Sequence, residues 1–300
     1  MIDKIKEYAR NLNCKVKESV LMSEYTSFKT GGYAKLFITP DTVEDIAQLY
    51  KFCFSLGVKP IIVGNGSNTL VSDNGIDGVV IYIGNSFQHI EYCGGGIIKC
   101  GAGVNLAKLC MFALEYELTG MEFAFGIPGS VGGAAFMNAG AYGGEMKDII
   151  MLCNHITPDG ERNSLSGDNL EFGYRKSAYG KNNCLITSVV FKLEKGDADA
   201  IKYKMDSLLE RRKLKQPLDY PSAGSVFKRP EGNFAGTLIQ ECGLKGKTIG
   251  GAQVSEKHAG FIINIGNATT KDITDLIDFV QATVQKEKNV LLEKELRVIE

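Results

Sequence analysis

An α+β fold is predicted for this 300-residue chain. Three observations predict it. Apolar runs of strand length alternate irregularly with amphipathic helical stretches, which disfavours one doubly wound sheet. The length suits about two typical domains, and 44% apolar residues can fill more than one core. A highly charged stretch at 194–215 (EKGDADAIKYKMDSLLERRKLK) reads as a boundary helix before a smaller C-terminal α/β part.

The elements follow in order. Residues 1–18 form a charged amphipathic segment without the apolar stretch of a signal peptide. Tyr33–Thr39 reads as a strand closed by Pro40. Asp41 and Glu44 have capping-box spacing, and Val43, Ile46, Ala47, Tyr50 and Phe54 recur with helical period up to Gly57. Short buried strands are expected at Pro60–Val63 and Gly78–Ile83, completing a β-α-β unit with a glycine loop after its second strand. A hairpin is expected from Phe87 to Gly103, around Gly94–Gly96. Leu106, Leu109, Cys110, Ala113 and Leu114 mark a second helix. Strands around 148–157 and 183–193 flank the turn Pro158-Asp159-Gly160. In the last part, Ile273, Leu276, Ile277, Val280 and Val284 share one helix face, and Leu296–Ile299 reads as a terminal strand.

Composition excludes several classes. Thirty-four basic and 35 acidic side chains leave a formal charge of −1, too balanced for a nucleic-acid wrapper. No apolar run approaches the roughly 20 residues of a membrane span, so a cytoplasmic protein is expected. Eight cysteines form no C-x-x-C pair and are expected as reduced thiols. His89, His155 and His258 lack metal-ligand spacing, so no metal site is expected. Glycine is the outlier, at 35 residues.

Two glycine segments carry a chemical reading. Gly64-Asn65-Gly66-Ser67-Asn68 follows a strand and can present consecutive N–H groups to a pyrophosphate. Its alternative is a plain Gly/Asn turn. The spacing is not G-x-G-x-x-G, because Thr69 stands where that fingerprint has glycine. Gly126-Ile-Pro-Gly-Ser-Val-Gly-Gly133 continues to Asn138 and Gly144, with eight glycines between 120 and 144. Ser130 suits the N-cap of a helix facing a phosphate. Tight backbone packing is the alternative, but the entropy that glycine loses on folding favours a ligand cradle. Gly243–Thr248 imitates the end of a phosphate loop, yet Glu241 stands where its first glycine belongs.

Some polar residues sit unusually. Tyr174-Arg175-Lys176-Ser177 follows Phe172-Gly173, and Gly224-Ser225 precedes the apolar pair Val226-Phe227. Ser225 has no nucleophile-elbow context, so its bland reading is a turn serine. Glu295 and Arg297 bracket Leu296 and would share one face of the last strand, which alone reads as a solvated edge pair.

These segments, taken together and in order, closely resemble the UDP-N-acetylenolpyruvoylglucosamine reductase (UDP-N-acetylmuramate dehydrogenase) family of peptidoglycan precursor synthesis. The resemblance runs from TSFKTGG (26–32) through VGNGSNTLVSD, GIPGSVGGAAFMNAGAYG, EFGYRKS, AGSVFKRP and GGAQVSEKHAGFIIN to Glu295-Leu-Arg297. The spacing from Arg175 to Ser225 looks like the branch lacking an extra tyrosine-bearing loop.

The resemblance implies a two-subdomain FAD-binding region of the vanillyl-alcohol-oxidase (PCMH) type, at 1–83 and 84–200. It implies an α/β substrate domain at 201–300, with the terminal strand 295–299 able to return to the first subdomain. It implies non-covalent FAD held by Gly64, Asn65, Gly66, Ser67, Asn68, Pro128, Gly129, Ser130, Gly133 and Asn138. NADPH is the implied donor, a sugar nucleotide the implied substrate, and a monomer the implied state. Arg175, Ser225 and Glu295 match the family's catalytic positions: charge stabiliser, proton donor and positioning group. Tyr174, Lys213 and Arg229 are candidates for the substrate diphosphate, with Arg212 behind them. Lys228 or water would support Ser225. Arg229 departs from the asparagine often found in that motif. A flavin oxidase of the same fold is disfavoured because neither glycine loop holds a tethering histidine, and a non-catalytic ligand sensor is disfavoured because all three catalytic matches are kept.

Overall fold

The computed structural model describes residues 1–300. Seven α-helices occur: α1 (Ile2–Arg10), α2 (Val43–Ser55), α3 (Leu106–Glu115), α4 (Val131–Phe136), α5 (Ala198–Lys215), α6 (Ala235–Glu241) and α7 (Thr270–Lys288). The chain divides into two compact units. The first holds residues 1–18, 36–65 and 78–211; the second holds 19–35, 66–77 and 212–300. The backbone therefore changes unit at five places.

One sheet has the strand order Cys14–Leu21, Tyr33–Pro40, Ile76–Tyr82, Ile61–Val63. The last pair is parallel, with Ile61 opposite Val80 and Val63 opposite Tyr82. Alternation along Tyr33–Pro40 buries Ala34, Leu36 and Ile38. In the first unit, α2 buries Ile46, Ala47, Leu49, Tyr50 and Cys53 in a core that also holds Leu36, Ile38, Val79 and Ile81. Each such aliphatic side chain contributes roughly 1.5–3 kcal/mol.

The capping box of α2 lies one residue later than the sequence suggests. The Thr42 hydroxyl accepts from Asp45 N, and the Asp45 carboxylate accepts from Thr42 N at 3.0 Å and Asn13 N at 3.1 Å. Asp45 is preferred because it is buried and takes two segments at once. Glu44 instead accepts from Arg162 at 3.0 Å on the surface.

The second sheet of this unit is antiparallel, in the order Arg162–Ser166, Ile150–Ile156, Leu185–Lys192, Ile97–Gly101, Ile90–Gly94. The hairpin between its last two strands turns through Gly94, Gly95 and Gly96, all with positive φ. Pro158-Asp159-Gly160 leads into Arg162–Ser166, a strand that the sequence reading lacked; Leu185–Lys192 pairs on the opposite side of Ile150–Ile156.

In the second unit, Thr248–Ile249, Ala252–Val254 and Ile262–Asn264 form an antiparallel sheet. Helix α7 buries Ile273, Leu276, Ile277, Val280 and Val284 in the core of this unit. Its first amides are held by Asp73, whose carboxylate accepts from Thr270 N at 2.8 Å and Lys271 N at 2.9 Å. Helix α6 immediately precedes Gly243–Thr248, so that segment follows a helix rather than a phosphate-loop strand. The terminal strand Arg297–Ile299 pairs in parallel with Thr69–Val71. The charged helix α5 buries only Ile201 and Met205, and the division between units falls inside it at 211/212.

Candidate active site

The first glycine segment leaves its strand at Val63 and re-enters one at Thr69. No backbone acceptor takes the amides of Asn65, Gly66, Ser67 or Asn68. Gly66 has φ +61°, and a Cβ there would run into the Tyr25 carbonyl oxygen. Ser27 N donates to Gly66 O at 3.1 Å, fixing the turn from the other side. At Gly64 a Cβ would lie 2.5 Å from Ser130 Oγ. Within the first unit, Gly64 therefore abuts the second glycine segment.

That second segment is tied down on one edge only. Leu106 N donates to Gly129 O at 3.1 Å, Val131 N to Val104 O at 2.8 Å and Gly132 N to Ala102 O at 2.8 Å. A Cβ on Gly132 would sit 2.9 Å from Ala102 Cβ, so this glycine serves close packing. Ser130 caps α4, its hydroxyl accepting from Gly133 N at 3.4 Å. The amides of Gly129 and Ser130 have no backbone acceptor. In the first unit, the open N–H groups of Asn65, Gly129 and Ser130 are the donor chemistry that a dinucleotide's pyrophosphate requires, so these residues fit FAD; the open amides of Gly66, Ser67 and Asn68 in the second unit have the same chemistry. Pro128 and Gly133 are exposed.

Asn138 differs from its expected neighbours. It is fully buried with φ +43°. Its Nδ2 donates to Glu145 Oε2 at 2.8 Å and Gly173 O at 3.0 Å, and its Oδ1 accepts from Lys147 N at 2.9 Å. Both amide hydrogens are thus committed inside the protein.

Arg175 lies in the turn Gly173–Lys176, closed by Gly173 N to Lys176 O at 3.1 Å and Lys176 N to Gly173 O at 3.2 Å. Its φ is +54°, a conformation that normally calls for glycine or asparagine. Its Nη2 donates to Gly140 O at 3.0 Å, and its guanidinium lies 5.0 Å from the Tyr174 ring. Gly140 begins a small hairpin in which Ala141 pairs with Gly144. Tyr142 stands at the tip, under the Arg211 guanidinium at 5.1 Å.

In the second unit, Gly224 has φ +77° and open space where a Cβ would go. Ser225 is opposite Phe261, and Val226 N donates to Gly260 O at 2.9 Å. On the other side, Glu295 N donates to Val226 O at 2.7 Å and Lys228 N to Glu293 O at 2.8 Å. Residues 293–295 therefore run beside 226–228, and the terminal strand begins only at Arg297. Glu295 thus belongs to the Ser225 ladder, while exposed Arg297 lies in the strand that pairs with Thr69–Val71. Asn68 joins both, its Nδ2 donating to Glu295 O at 3.2 Å and its carbonyl accepting from Arg297 N at 3.0 Å.

The remaining candidates are held as follows. Lys228 Nζ donates to Glu293 at 3.1 Å, and Arg229 covers the Phe234 ring at 4.0 Å. Lys213 O accepts from Lys257 Nζ at 2.5 Å, and Arg212 Nε donates to Gln216 at 2.8 Å. His258, which the sequence reading left without a role, accepts from Gly260 N at 3.1 Å, and burial lowers its pKa. It braces the turn whose carbonyl receives Val226 N. Only the closeness of His258 and Gly260 in the sequence hinted at this.

The glycine segments and the matches below define an FAD-dependent oxidoreductase. An FAD-binding-domain model matches residues 34–166, and a model described as the UDP-N-acetylenolpyruvoylglucosamine reductase C-terminal domain matches 216–299. The chain is 48% identical over 286 residues to UDP-N-acetylenolpyruvoylglucosamine reductase of Clostridium novyi (strain NT), covering 95% of this chain and 92% of the relative. It is 49% identical over 284 residues to the Clostridium botulinum (strain Alaska E43 / Type E3) protein of the same name, covering 95% and 93%. The crystal structure of UDP-N-acetylenolpyruvylglucosamine reductase from Thermus caldophilus matches with a TM-score of 0.83 and 36% identity, over 96% of this chain and 100% of that one. The chain belongs to the UDP-N-acetylenolpyruvoylglucosamine reductase family. No helix is long and apolar enough to cross a membrane.

Proposed function

We propose that this protein converts enolpyruvyl-UDP-N-acetylglucosamine to UDP-N-acetylmuramate at the expense of NADPH, as a monomer with non-covalent FAD. The reaction adds one hydride and one proton across the vinyl double bond. Bound FAD supplies the hydride relay between NADPH and the terminal vinyl carbon. Everything else is work for side chains. Hydride addition leaves negative charge on the adjacent carbon and its carboxylate. Arg175 stabilises that charge with a planar, permanently cationic fork. Ser225 gives its hydroxyl proton to the adjacent carbon as general acid. Glu295, in the same ladder as Ser225, orients the group being protonated. Lys228 is engaged by Glu293, which favours water as the source that restores the serine proton. Tyr174, Lys213 and Arg229 serve the substrate diphosphate. The open amides of Asn65 to Asn68, Gly129 and Ser130 serve the FAD pyrophosphate.

The observation that carries this reading is the seat of Ser225. It follows a positive-φ glycine with open space beside it and shares a hydrogen-bonded ladder with Glu295. The test is anaerobic flavin absorbance. NADPH should bleach the yellow protein, and enolpyruvyl-UDP-N-acetylglucosamine should restore the colour. Ser225→Ala should keep the bleaching rate and slow recolouring by roughly 10²–10⁴-fold. Recolouring of Ser225→Ala at the parent rate would remove the proton-donor role. Failure of the substrate to recolour the parent enzyme would remove the proposed activity.

A further inference from the structure

Arg175 is held in place by an unusual arrangement. Its backbone adopts φ +54° without being glycine or asparagine, so the surrounding structure must impose it. The turn carrying it closes on itself through Gly173 and Lys176. Outside that turn, one fully buried side chain grips its first residue: Asn138 donates to Gly173 O at 3.0 Å. The same amide donates to Glu145 at 2.8 Å, at the far end of the hairpin that begins with Gly140. Gly140 O in turn accepts from the Arg175 guanidinium at 3.0 Å. Asn138 thus joins the backbone beneath Arg175 to the hairpin that receives its side chain.

From this closed circuit we propose that Asn138 is a positioning residue for Arg175, fixing where its guanidinium points. The inference rests on the role of Arg175 stated above. Asparagine suits the place for two reasons. It tolerates φ +43°, and its amide donates to two acceptors while accepting from Lys147 N. Aspartate keeps the shape and can still accept from Lys147 N, but it loses both donors and sets a second carboxylate against Glu145.

The experiment measures the two flavin half-reactions separately, by anaerobic rapid mixing, in the parent, Asn138→Asp, Arg175→Lys and the double variant. Reduction by NADPH should stay within about twofold in Asn138→Asp, while re-oxidation by enolpyruvyl-UDP-N-acetylglucosamine slows roughly ten- to hundredfold, as expected for a misplaced charge partner. In the Arg175→Lys background the same change should add no more than about twofold, because residues acting through one another are not additive. Equal slowing of both half-reactions, or a full multiplicative loss in the double variant, overturns the proposal. Asn138→Gly, which accepts φ +43° and adds no charge, should repeat the pattern if Asn138→Asp folds poorly. The two readings separate cleanly. A slow Arg175→Lys beside normal Asn138 variants overturns this inference alone. An Arg175→Lys that re-oxidises at the parent rate removes the Arg175 role and this inference with it.

Discussion

At the scale of single residues, glycine has two distinct uses near the proposed site. Gly224 is required for its φ of +77°, with nothing nearby to obstruct a methyl group. Gly66 is required for its φ of +61° and also because the Tyr25 carbonyl occupies the space of a Cβ. Gly224→Ala should therefore cost about 1–2 kcal/mol, the ordinary left-handed penalty. Gly66→Ala should cost more than that, roughly 3 kcal/mol, because backbone must move as well. Urea unfolding of the two variants side by side tests the ordering, and equal losses would show that the Tyr25 segment yields freely. Ser130 as a helix cap was legible from its place before Val131 and the glycine pair. The use of Asn138 was not. Its partners Glu145 and Gly173 stand 7 and 35 residues away, and no local pattern states where a buried amide sends its hydrogens. The ladder that puts Glu295 beside Val226 was hidden for the same reason.

At the scale of elements, legibility followed apolar periodicity. Helix α7 shows its whole buried face in the spacing of Ile273, Leu276, Ile277, Val280 and Val284. Strand Arg162–Ser166 shows nothing comparable, since Leu165 is its single apolar residue and its place is set by pairing with Ile150–Ile156. The α2 cap slipped by one residue because Asp41–Glu44 and Thr42–Asp45 have equal spacing, and only burial of Asp45 distinguishes them. Helix α7 carries a second, non-local cap in Asp73, also invisible to spacing. Asp73→Ala should lower the unfolding free energy by about 1–2 kcal/mol, through two lost charge-assisted bonds to helix amides. Thermal or urea unfolding checks this, and an unchanged midpoint would mean that the helix's own capping box, in which the Thr269 hydroxyl accepts from Asp272 N and the Asp272 carboxylate accepts from Thr269 N, alone secures the helix start.

At the scale of the molecule, the eight thiols are sorted by burial. Burial pushes Cys53, Cys100 and Cys153 up to about 12, and Cys14 likewise with help from Asp45 and Asp41. Cys110, Cys184 and Cys242 are also raised. Cys93 is exposed. Because the thiolate is the reactive form, a thiol reagent at about pH 8 should show one fast-reacting group per folded chain. Cys93→Ser should abolish that phase, and a fast phase of two or more groups would reveal local opening. The discontinuous division into units was beyond the sequence reading. The charged stretch 194–215 reads as a boundary with the expected cut at 200/201, and the division at 211/212 falls inside its helix; the other crossings, such as those at 35/36 and 65/66, lie where no composition changes.

Those crossings set a timetable for the newborn chain. The strand Thr69–Val71 is made well before its parallel partner Arg297–Ile299, with most of the 300 residues between them. Buried Leu70 and Val71 must therefore wait, unpaired on that edge, until Arg297–Ile299 has been made. A chain released before Arg297 keeps that edge open permanently. Loss of Arg297–Ile299 should thus yield a target for cellular proteolysis rather than a slightly trimmed enzyme.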